Sequence, residues 1–245
     1  MSRNHGLYAA LFAVALLVQA LPNAADAAPP VPNGNITALR AAIANAAPGG
    51  TIVLFKNGTY TLDGTALEID KQITINGRGA TIDGNDASRV INVESTGNLT
   101  LRDVIITGGS APNGGGIYNN GGTVTLKDKS SVSGNEADAG SGIFNNYGTV
   151  TLKDTSSVSG NGAASGGGIY NTGTLTLSGN SSVSGNEADD GGGILNTGTV
   201  TMSDTSRVSS NNADVGGGIL NGGTLINCIA GGNVVNNTVS DIFNE

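Results

Sequence analysis

Polar and apolar residues alternate in short runs that return along the chain at a nearly fixed distance. In residues 166–210 a Gly-Gly-Gly-Ile phrase, a Thr-Leu-Thr-Leu phrase and a Ser-Val-Ser-Gly-Asn phrase are followed by a near copy of themselves. The Ile of the first phrase recurs at steps of 26, 26, 25 and 25 residues. These residues are Ile117, Ile143, Ile169, Ile194 and Ile219. Such self-similarity predicts a solenoid in which each repeat is one structural unit.

Each repeat contains three short runs of β-type residues, separated by Gly, Asn, Asp and Ser. The run of residues 174–177 alternates with period two, as a strand with one buried side does. The runs are four to six residues long, which is too short for a helix. We therefore expect an all-β, single-domain chain in which three strands and three turns close one coil of a parallel β-helix. Consecutive coils would lie about 4.8 Å apart.

Stacked coils place equivalent residues in rows. Two apolar rows are expected to fill the interior: Val124, Val150, Leu175, Val200 and Leu225 in one, and Leu126, Leu152, Leu177 and Met202 in the other. A third row consists of Asn119, Asn145, Asn171, Asn196 and Asn221. An unpaired buried amide costs about 1–3 kcal/mol, but amides stacked at this spacing can bond one another. We interpret this row as a structural ladder and not as a ligand site.

The first residues have the pattern of a secretory signal peptide, which we assign to residues 1–27. Arg3 precedes an apolar run over residues 7–18, and a small-x-small cleavage site occupies residues 25–27. The apolar run is too short to span a membrane comfortably, and no other segment has the length to do so. The sequence therefore predicts a secreted or cell-surface protein, extracellular or associated with an outer membrane, with no membrane-spanning segment after cleavage.

A short helix is predicted between the signal peptide and the repeats. Residues 28–50 form a lead-in in which Asn35 or Thr37 can cap a helix with Leu39 and Ile43 on one face. The first coil of a solenoid exposes apolar rows and unpaired edge groups, so we expect this helix to cover that end. The β-helix itself is assigned to residues 51–245, with regular repeats from about residue 98.

Composition and charge exclude several classes of partner. The chain contains 40 Gly and only 6 Pro, which fits turns that require positive φ better than a disordered linker. Its formal net charge is −8, and its basic residues are scattered. Nucleic acids and anionic membrane surfaces are therefore not expected as partners. The single cysteine, Cys228, cannot form an intramolecular disulfide and is predicted to be a small core residue.

Two stretches resemble known β-helix families. Residues 183–194, Val-Ser-Gly-Asn-Glu-Ala-Asp-Asp-Gly-Gly-Gly-Ile, resemble the repeat of the chlamydial-type polymorphic outer-membrane proteins, with Val where that family favours Phe and Gly where it favours Ala. Residues 36–43, followed by Gly-Thr-Ile at 50–52 and Gly-Thr-Tyr-Thr-Leu at 58–62, are similar to the opening of secreted pectin-lyase-like repeat proteins. The resemblance implies a right-handed parallel β-helix and a secreted or surface-displayed protein, often an adhesin.

The pectin-lyase-like fold also includes polysaccharide lyases and hydrolases, so an enzyme is the alternative. The one histidine, His5, lies in the predicted signal peptide. Of the phrases typical of those hydrolases only Asp189-Asp190 is present, in a stretch predicted to be a turn, where Asp is common. We therefore predict no catalytic, cofactor-binding or metal-ligating residues. A calcium ion is the alternative to no cofactor, because Asp128 and Asp154 lie one repeat apart, as do Asp189 and Asp214.

Two outer surfaces are candidates for binding. The first is an apolar stripe whose residues each follow a stacked Ile, and which alternation directs outward. Its members are Tyr118, Phe144, Tyr170, Leu195 and Leu220. The second is the array Thr123/Thr125, Thr149/Thr151, Thr174/Thr176 and Thr199/Thr201, which resembles the ice-binding face of β-helical antifreeze proteins. Its alternative is that Thr simply favours the outer face of a strand.

The sequence thus predicts a non-enzymatic surface or extracellular protein that acts as an adhesion or structural binding module. Its expected partners are host or extracellular glycans or surface proteins. A polysaccharide-active enzyme is the first alternative, and an ice-binding protein that uses the Thr-x-Thr face is the second.

Overall fold

The computed structural model describes residues 29–245, and the predicted signal peptide lies outside the described residues. The described chain is a right-handed parallel β-solenoid preceded by one helix, α1 (Ile36–Asn45), which confirms the fold predicted from the repeat. All pairs between strands are parallel and connect a residue to its equivalent in the next coil, as Ile143 pairs with Ile169 and Ile169 with Ile194.

The strands form three sheets, each running along the solenoid axis. The 14-stranded sheet contains β1 (Gly50–Val53), β2 (Thr59–Thr61), β4 (Gln72–Asp83), β6 (Asn98–Thr107), β9 (Thr123–Lys127), β13 (Thr149–Leu152), β17 (Thr174–Leu177), β21 (Thr199–Met202) and β25 (Thr224–Ile226), together with β10 (Ser131–Ser133), β14 (Ser157–Ser159), β18 (Ser182–Ser184), β22 (Arg207–Ser209) and β26 (Val234–Val235). The eight-stranded sheet contains β3 (Leu67–Ile69), β5 (Ile91–Val93), β8 (Ile117–Asn120), β12 (Ile143–Asn146), β16 (Ile169–Asn171), β20 (Ile194–Asn196), β24 (Ile219–Asn221) and β27 (Ile242–Asn244). The five-stranded sheet contains β7 (Ser110–Asn113), β11 (Glu136–Ala139), β15 (Gly162–Ser165), β19 (Glu187–Asp190) and β23 (Asn212–Val215).

The number of strands in a regular coil corrects the sequence prediction. One coil contains four strands, for example β17, β18, β19 and β20, where the pattern indicated three. The additional strand is the Glu-Ala-Asp-Asp segment, which was expected to be a turn. This segment has no large apolar side chain, so its sequence lacks the alternation of apolar and polar residues that is typical of the other strands. Pairing with the equivalent segments of the neighbouring coils is what makes it a strand.

Apolar rows fill the interior. The side chains of Val124, Leu126, Leu175, Leu177 and their equivalents in the intervening coils are fully buried, and only Leu225 in the last of these rows is partly exposed. Outward positions on the same strands carry Thr and Ser. The alternation along a strand therefore divides each coil into an apolar inside and a polar outside, as expected for period-two side chains.

Helix α1 covers the N-terminal end of the solenoid. The side chain of Asn35 accepts a hydrogen bond from the backbone N–H of Ala38 at 2.8 Å and so caps the first turn. Leu39 and Ile43 are buried against the first coil. The guanidinium of Arg40 donates to the carbonyl of Ala66 at 2.7 Å, which ties the helix to the strand connection beneath it.

Candidate functional site

The predicted Asn row lies inside the solenoid, on the eight-stranded sheet. Its amides donate from one coil to the next: Asn119 to Asn145 at 2.8 Å, Asn145 to Asn171 at 2.7 Å, Asn171 to Asn196 at 2.8 Å, Asn196 to Asn221 at 2.8 Å and Asn221 to Asn244 at 3.0 Å. Each amide also donates to a carbonyl of the following turn, as Asn119 does to Gly122 at 3.0 Å. The five predicted Asn residues are buried and each side-chain NH2 group donates to the next, so the ladder stabilises the stack and is not accessible to a ligand.

A second Asn ladder runs through the interior at the end of the Ser-Val-Ser strands. In this ladder the side-chain NH2 group of each Asn donates to the Oδ1 of the next at 2.9–3.0 Å, through Asn135, Asn161, Asn186, Asn211 and Asn237. This row is absent from the predicted interior ladders. The signal was present, because these Asn residues recur with the same period as the first ladder. The sequence Gly-Asn at the end of a strand is typical of a turn. Only the folded coil shows that the Asn side chain points into the interior.

The apolar stripe occupies the outer side of the eight-stranded sheet. Ile169 and Asn171 are fully buried while Tyr170 between them is partly exposed, so the row points away from the interior. The rings of Tyr118 and Phe144 stack at a centroid distance of 5.4 Å, and those of Phe144 and Tyr170 at 4.8 Å. Leu195 and Leu220 continue the row in register, but Leu220 is buried, so the prediction of an exposed stripe is wrong for its last member.

Stacking determines which part of the stripe a ligand could reach. Both faces of Phe144 are covered by its neighbours, and the guanidinium of Arg89 lies 4.5 Å from the ring centroid of Tyr118. Burial lowers the pKa of Arg89, while Tyr118 and Glu68 act in the opposite direction. At the side of the row, a Cβ atom on Gly140 would come within 3.0 Å of Tyr170. The stripe therefore presents ring edges, and the faces needed for stacking on a sugar are used within the protein.

An open groove lies over the five-stranded sheet. It has a volume of about 830 Å³ and runs across all five strands. Its middle row consists of Ala111, Ala137, Ala163, Ala188 and Ala213. Five carboxylates border this row, Glu136, Asp138, Glu187, Asp189 and Asp214, and its lining includes no basic side chain. The groove thus has an Ala floor, in which Ala188 and Ala213 are themselves buried, between margins of exposed carboxylates.

Asp189 and Asp190 belong to strand β19, so the prediction that they lie in a turn is wrong. Asp189 is exposed and lines the groove, while Asp190 is partly buried and does not line it. Consecutive residues of a strand point to opposite sides. The two carboxyl groups therefore do not converge on one point, as a general acid and base acting on the same bond would have to.

A turn is stabilised by the side chains of Asp128 and Asp154. Asp154 accepts a hydrogen bond from the backbone N–H of Asp128 at 3.2 Å, and the carboxylate of Asp128 contacts Arg102 at 2.9 Å. The same turn of a later coil repeats the arrangement, where Gly179 donates its N–H to Asp204 at 2.8 Å.

Asp189 and Asp214 lie on neighbouring strands at the margin of the groove. Within residues 29–245 no three His, Cys, Asp or Glu side chains converge as metal ligands would.

The outer side of the 14-stranded sheet carries Thr in two adjacent rows, which we call the Thr face. The first row is Thr51, Thr74, Thr100, Thr125, Thr151, Thr176 and Thr201, and the second is Thr123, Thr149, Thr174, Thr199 and Thr224. The array is longer than the sequence indicated, because Thr51, Thr74 and Thr100 come from the irregular first coils and their register is visible only in the folded chain.

Cys228 is partly buried against the core in the last coil. Burial raises the pKa of its thiol to about 11, and a hydrogen bond with the backbone of Ile226 opposes that shift. The thiolate is the reactive form of cysteine. At neutral pH Cys228 is therefore a protonated packing residue.

Comparisons with protein-family models, with curated proteins and with solved structures find no match to this chain. Of the residues that the structure describes, none belongs to a helix with the length and apolar character needed to cross a membrane.

Proposed function

We propose that this chain is a non-enzymatic binding module, secreted or displayed at a cell surface, where it acts in adhesion. The observation that supports this most is the open groove over the five-stranded sheet. It continues across five strands at one side of the solenoid, so an extended partner could lie along the axis and meet the same groups in each coil.

The chemistry of the groove favours a positively charged partner. Its Ala floor lets a backbone approach the sheet closely, and its borders carry Glu136, Asp138, Glu187, Asp189 and Asp214. Complementary charge raises the rate of encounter and suppresses partners of the same sign. A Lys- or Arg-bearing extended stretch of a surface protein fits better than an acidic glycan. Among glycans, neutral or amino sugars are the ones compatible with these carboxylates.

The extracellular location rests on the sequence. The pattern of residues 1–27 and the resemblance to polymorphic outer-membrane proteins and to secreted pectin-lyase-like proteins both favour export. A measurement of the N-terminus of the protein recovered from the culture medium or cell surface tests this. We expect the chain to begin after Ala27, and an intact Met1 on a cytosolic protein would contradict the proposal.

The proposal that this chain is not an enzyme rests on its residue content and on the divergence of Asp189 and Asp190. Residues 29–245 contain no His, the commonest general acid–base residue. Incubation of the full chain with pectic and alginate polymers, with and without calcium, should release no reducing or unsaturated ends. Release of such ends by the wild type would make the enzyme alternative correct.

The groove can be tested with matched charge variants. We expect the full chain to bind Lys- and Arg-rich peptides in a salt-sensitive way. The pair Asp138→Asn and Asp189→Asn should weaken this binding. The control pair Asp70→Asn and Asp86→Asn removes the same charge away from the groove and should have a much smaller effect. Equal loss in both pairs would reduce the effect to net charge, and an absence of binding to cationic peptides by the wild type would reject the groove as the site.

A further inference from the structure

The Thr face differs from the rest of the surface in what its side chains bond to. Its twelve members are exposed or partly exposed. Their hydroxyl groups make no hydrogen bond within residues 29–245, whereas those of Thr155, Thr172 and Thr205, which lie in turns, donate to backbone carbonyls. The hydroxyls of the Thr face are therefore left to water.

The geometry of the sheet orders these groups in two directions. Neighbouring strands place equivalent Thr residues about 4.8 Å apart along the axis, and alternate residues of one strand lie about 6.7 Å apart. Thr is branched at Cβ and has few χ1 rotamers available, so neighbouring residues in one register can present hydroxyl and methyl groups in the same way. The result is a regular lattice of one donor-acceptor group and one methyl group per site.

The adjacent strands provide an internal comparison, which we call the Ser face. There the outward residues are Ser131, Ser157 and Ser182, together with Ser133, Ser159 and Ser184 two positions later on the same strands. Ser157 donates to Ser131 at 3.3 Å, so some of these hydroxyls bond within the protein. Ser also lacks the methyl group. The same solenoid therefore carries one face with a methyl-hydroxyl lattice and one face on which a short run of Ser hydroxyls lies between Ile105 and Arg207.

Charge is absent from both Thr rows. The next outward position on these strands is basic in three consecutive coils, with Arg102, Lys127 and Lys153, but is Ser178 and Ser203 in the following two. A charged ligand would need charged groups within the array. The middle of the Thr face, at β17 and β21, offers only methyl and hydroxyl groups at fixed spacing.

We propose that the Thr face binds ice. Its ligand is an ordered array of water molecules, because water is the partner that a repeating lattice of unbonded hydroxyls and methyls can match at many points together. The repeats of about 4.8 Å and about 6.7 Å fix the lattice that such an array would have to match. This activity goes beyond the binding function proposed for the groove, since it uses a different sheet.

The test compares the two faces of one coil. Thermal hysteresis and inhibition of ice recrystallisation are measured on the full chain, on Thr174→Lys and on Ser182→Lys. Thr174 lies on the Thr face and Ser182 on the Ser face of the same coil. We expect activity in the wild type, its loss in Thr174→Lys, and its retention in Ser182→Lys. The melting temperature of each variant shows that it is folded, and Thr149→Lys replaces Thr174→Lys if the latter is not.

Removal of methyl groups from the Thr face tests whether they contribute to ice binding. Thr174→Ser combined with Thr176→Ser keeps the hydroxyls and removes two methyls, and should lower the activity. No ice activity in the wild type would overturn the proposal. Equal loss in the Lys variants of both faces would also overturn it, because the effect would then not belong to the Thr face.

Discussion

The first coils and the regular coils fill the same interior position with different chemistry. In the eight-stranded sheet Ile69 pairs with Val93, Val93 pairs with Asn119, and from there the position is Asn in every coil. The coil geometry is shared, so the position requires a side chain of suitable size and not an amide. The comparison shows that an Asn side chain is favourable at this position when the neighbouring coils also carry Asn, since each amide needs the next one as its hydrogen-bond partner.

The junction between the two regions shows the cost of starting such a run. Asn119 donates to Asn145, but its own Oδ1 is buried and has no hydrogen-bond partner among residues 29–245, because Val93 stands where a donor would be needed. An unsatisfied buried acceptor costs about 1–3 kcal/mol. Inside the run, Asn171 has a ladder partner on both sides. The ladder is therefore weakest at its first member and strongest in its middle.

The largest effect is expected for a charge in the middle of the ladder. Asn171→Asp replaces a donor by a carboxylate between Asn145 and Asn196 and should lower the free energy of unfolding by about 3 kcal/mol or more at pH 7. Burial raises the pKa of the new carboxyl group, so the loss should shrink as the pH falls and the group protonates. Urea unfolding at pH 7 and pH 4 measures this. An unchanged stability at pH 7 would mean that the row is not buried.

A smaller effect separates the middle of the ladder from its first member. Asn171→Val removes two hydrogen bonds between side-chain amides and leaves the Oδ1 of Asn196 with the backbone N–H of Gly198 as its donor, so we expect a loss of about 1–3 kcal/mol. Asn119→Val extends the apolar run of Ile69 and Val93 by one coil. The Oδ1 of Asn145 then lacks a ladder donor in place of the Oδ1 of Asn119, so the number of unsatisfied acceptors does not change. Its cost should be below about 1 kcal/mol. Urea unfolding of both variants compares them, and equal costs would remove the distinction between the two regions.

The stripe should contribute less than the ladder. Phe144→Leu removes both ring stacks and gives the coil the residue already present at Leu195. Aromatic pairs contribute about 0.5–1.5 kcal/mol beyond area burial, so we expect a loss of about 1 kcal/mol. Leu195→Ala is the comparison without stacking. Thermal unfolding of the two variants is the measurement, and a loss above that of Asn171→Val would show that the outer row, and not the ladder, holds the coils together.

The smallest effect concerns Cys228. Its pKa is raised to about 11, so the folded protein holds the proton more tightly than the unfolded chain does. This contribution to stability is present below the unfolded pKa of about 8.5 and is lost as the pH rises towards 11. Reaction of the native protein with a thiol reagent should therefore be slow at pH 8 and accelerate towards pH 11. Rapid labelling at pH 8 would mean that the thiol is not buried.

The sequence predicted the features that repeat and missed those that depend on closure of the coil. Stacked Val, Leu and Ile and the helix over residues 36–45 followed from periodicity and a capping residue. The strand Glu187–Asp190 was missed because both neighbours of Ala188 are polar and no large apolar residue marks a side. The groove was missed with it, since its lining comes from that sheet.

Side-chain stacking and register were also beyond the sequence pattern. Alternation indicated the outward direction of Tyr170 but not that neighbouring rings would cover its faces. Thr51 and Thr74 joined the Thr face only through the register of β1 and β4, which lies in coils of irregular length. Both features depend on which residues of different coils lie side by side.

The central claim is that equivalent residues of consecutive coils lie directly above one another along the whole chain. Spin labels at Thr51→Cys and Thr201→Cys, in a Cys228→Ser background, test it by a pulsed dipolar distance measurement. These positions are at the two ends of the longer Thr row and six strand spacings apart, which predicts a single narrow distribution at about 29 Å, apart from the length of the label arms. A broad distribution, or a distance far from this value, would contradict the stacked register and with it the Thr face and the groove.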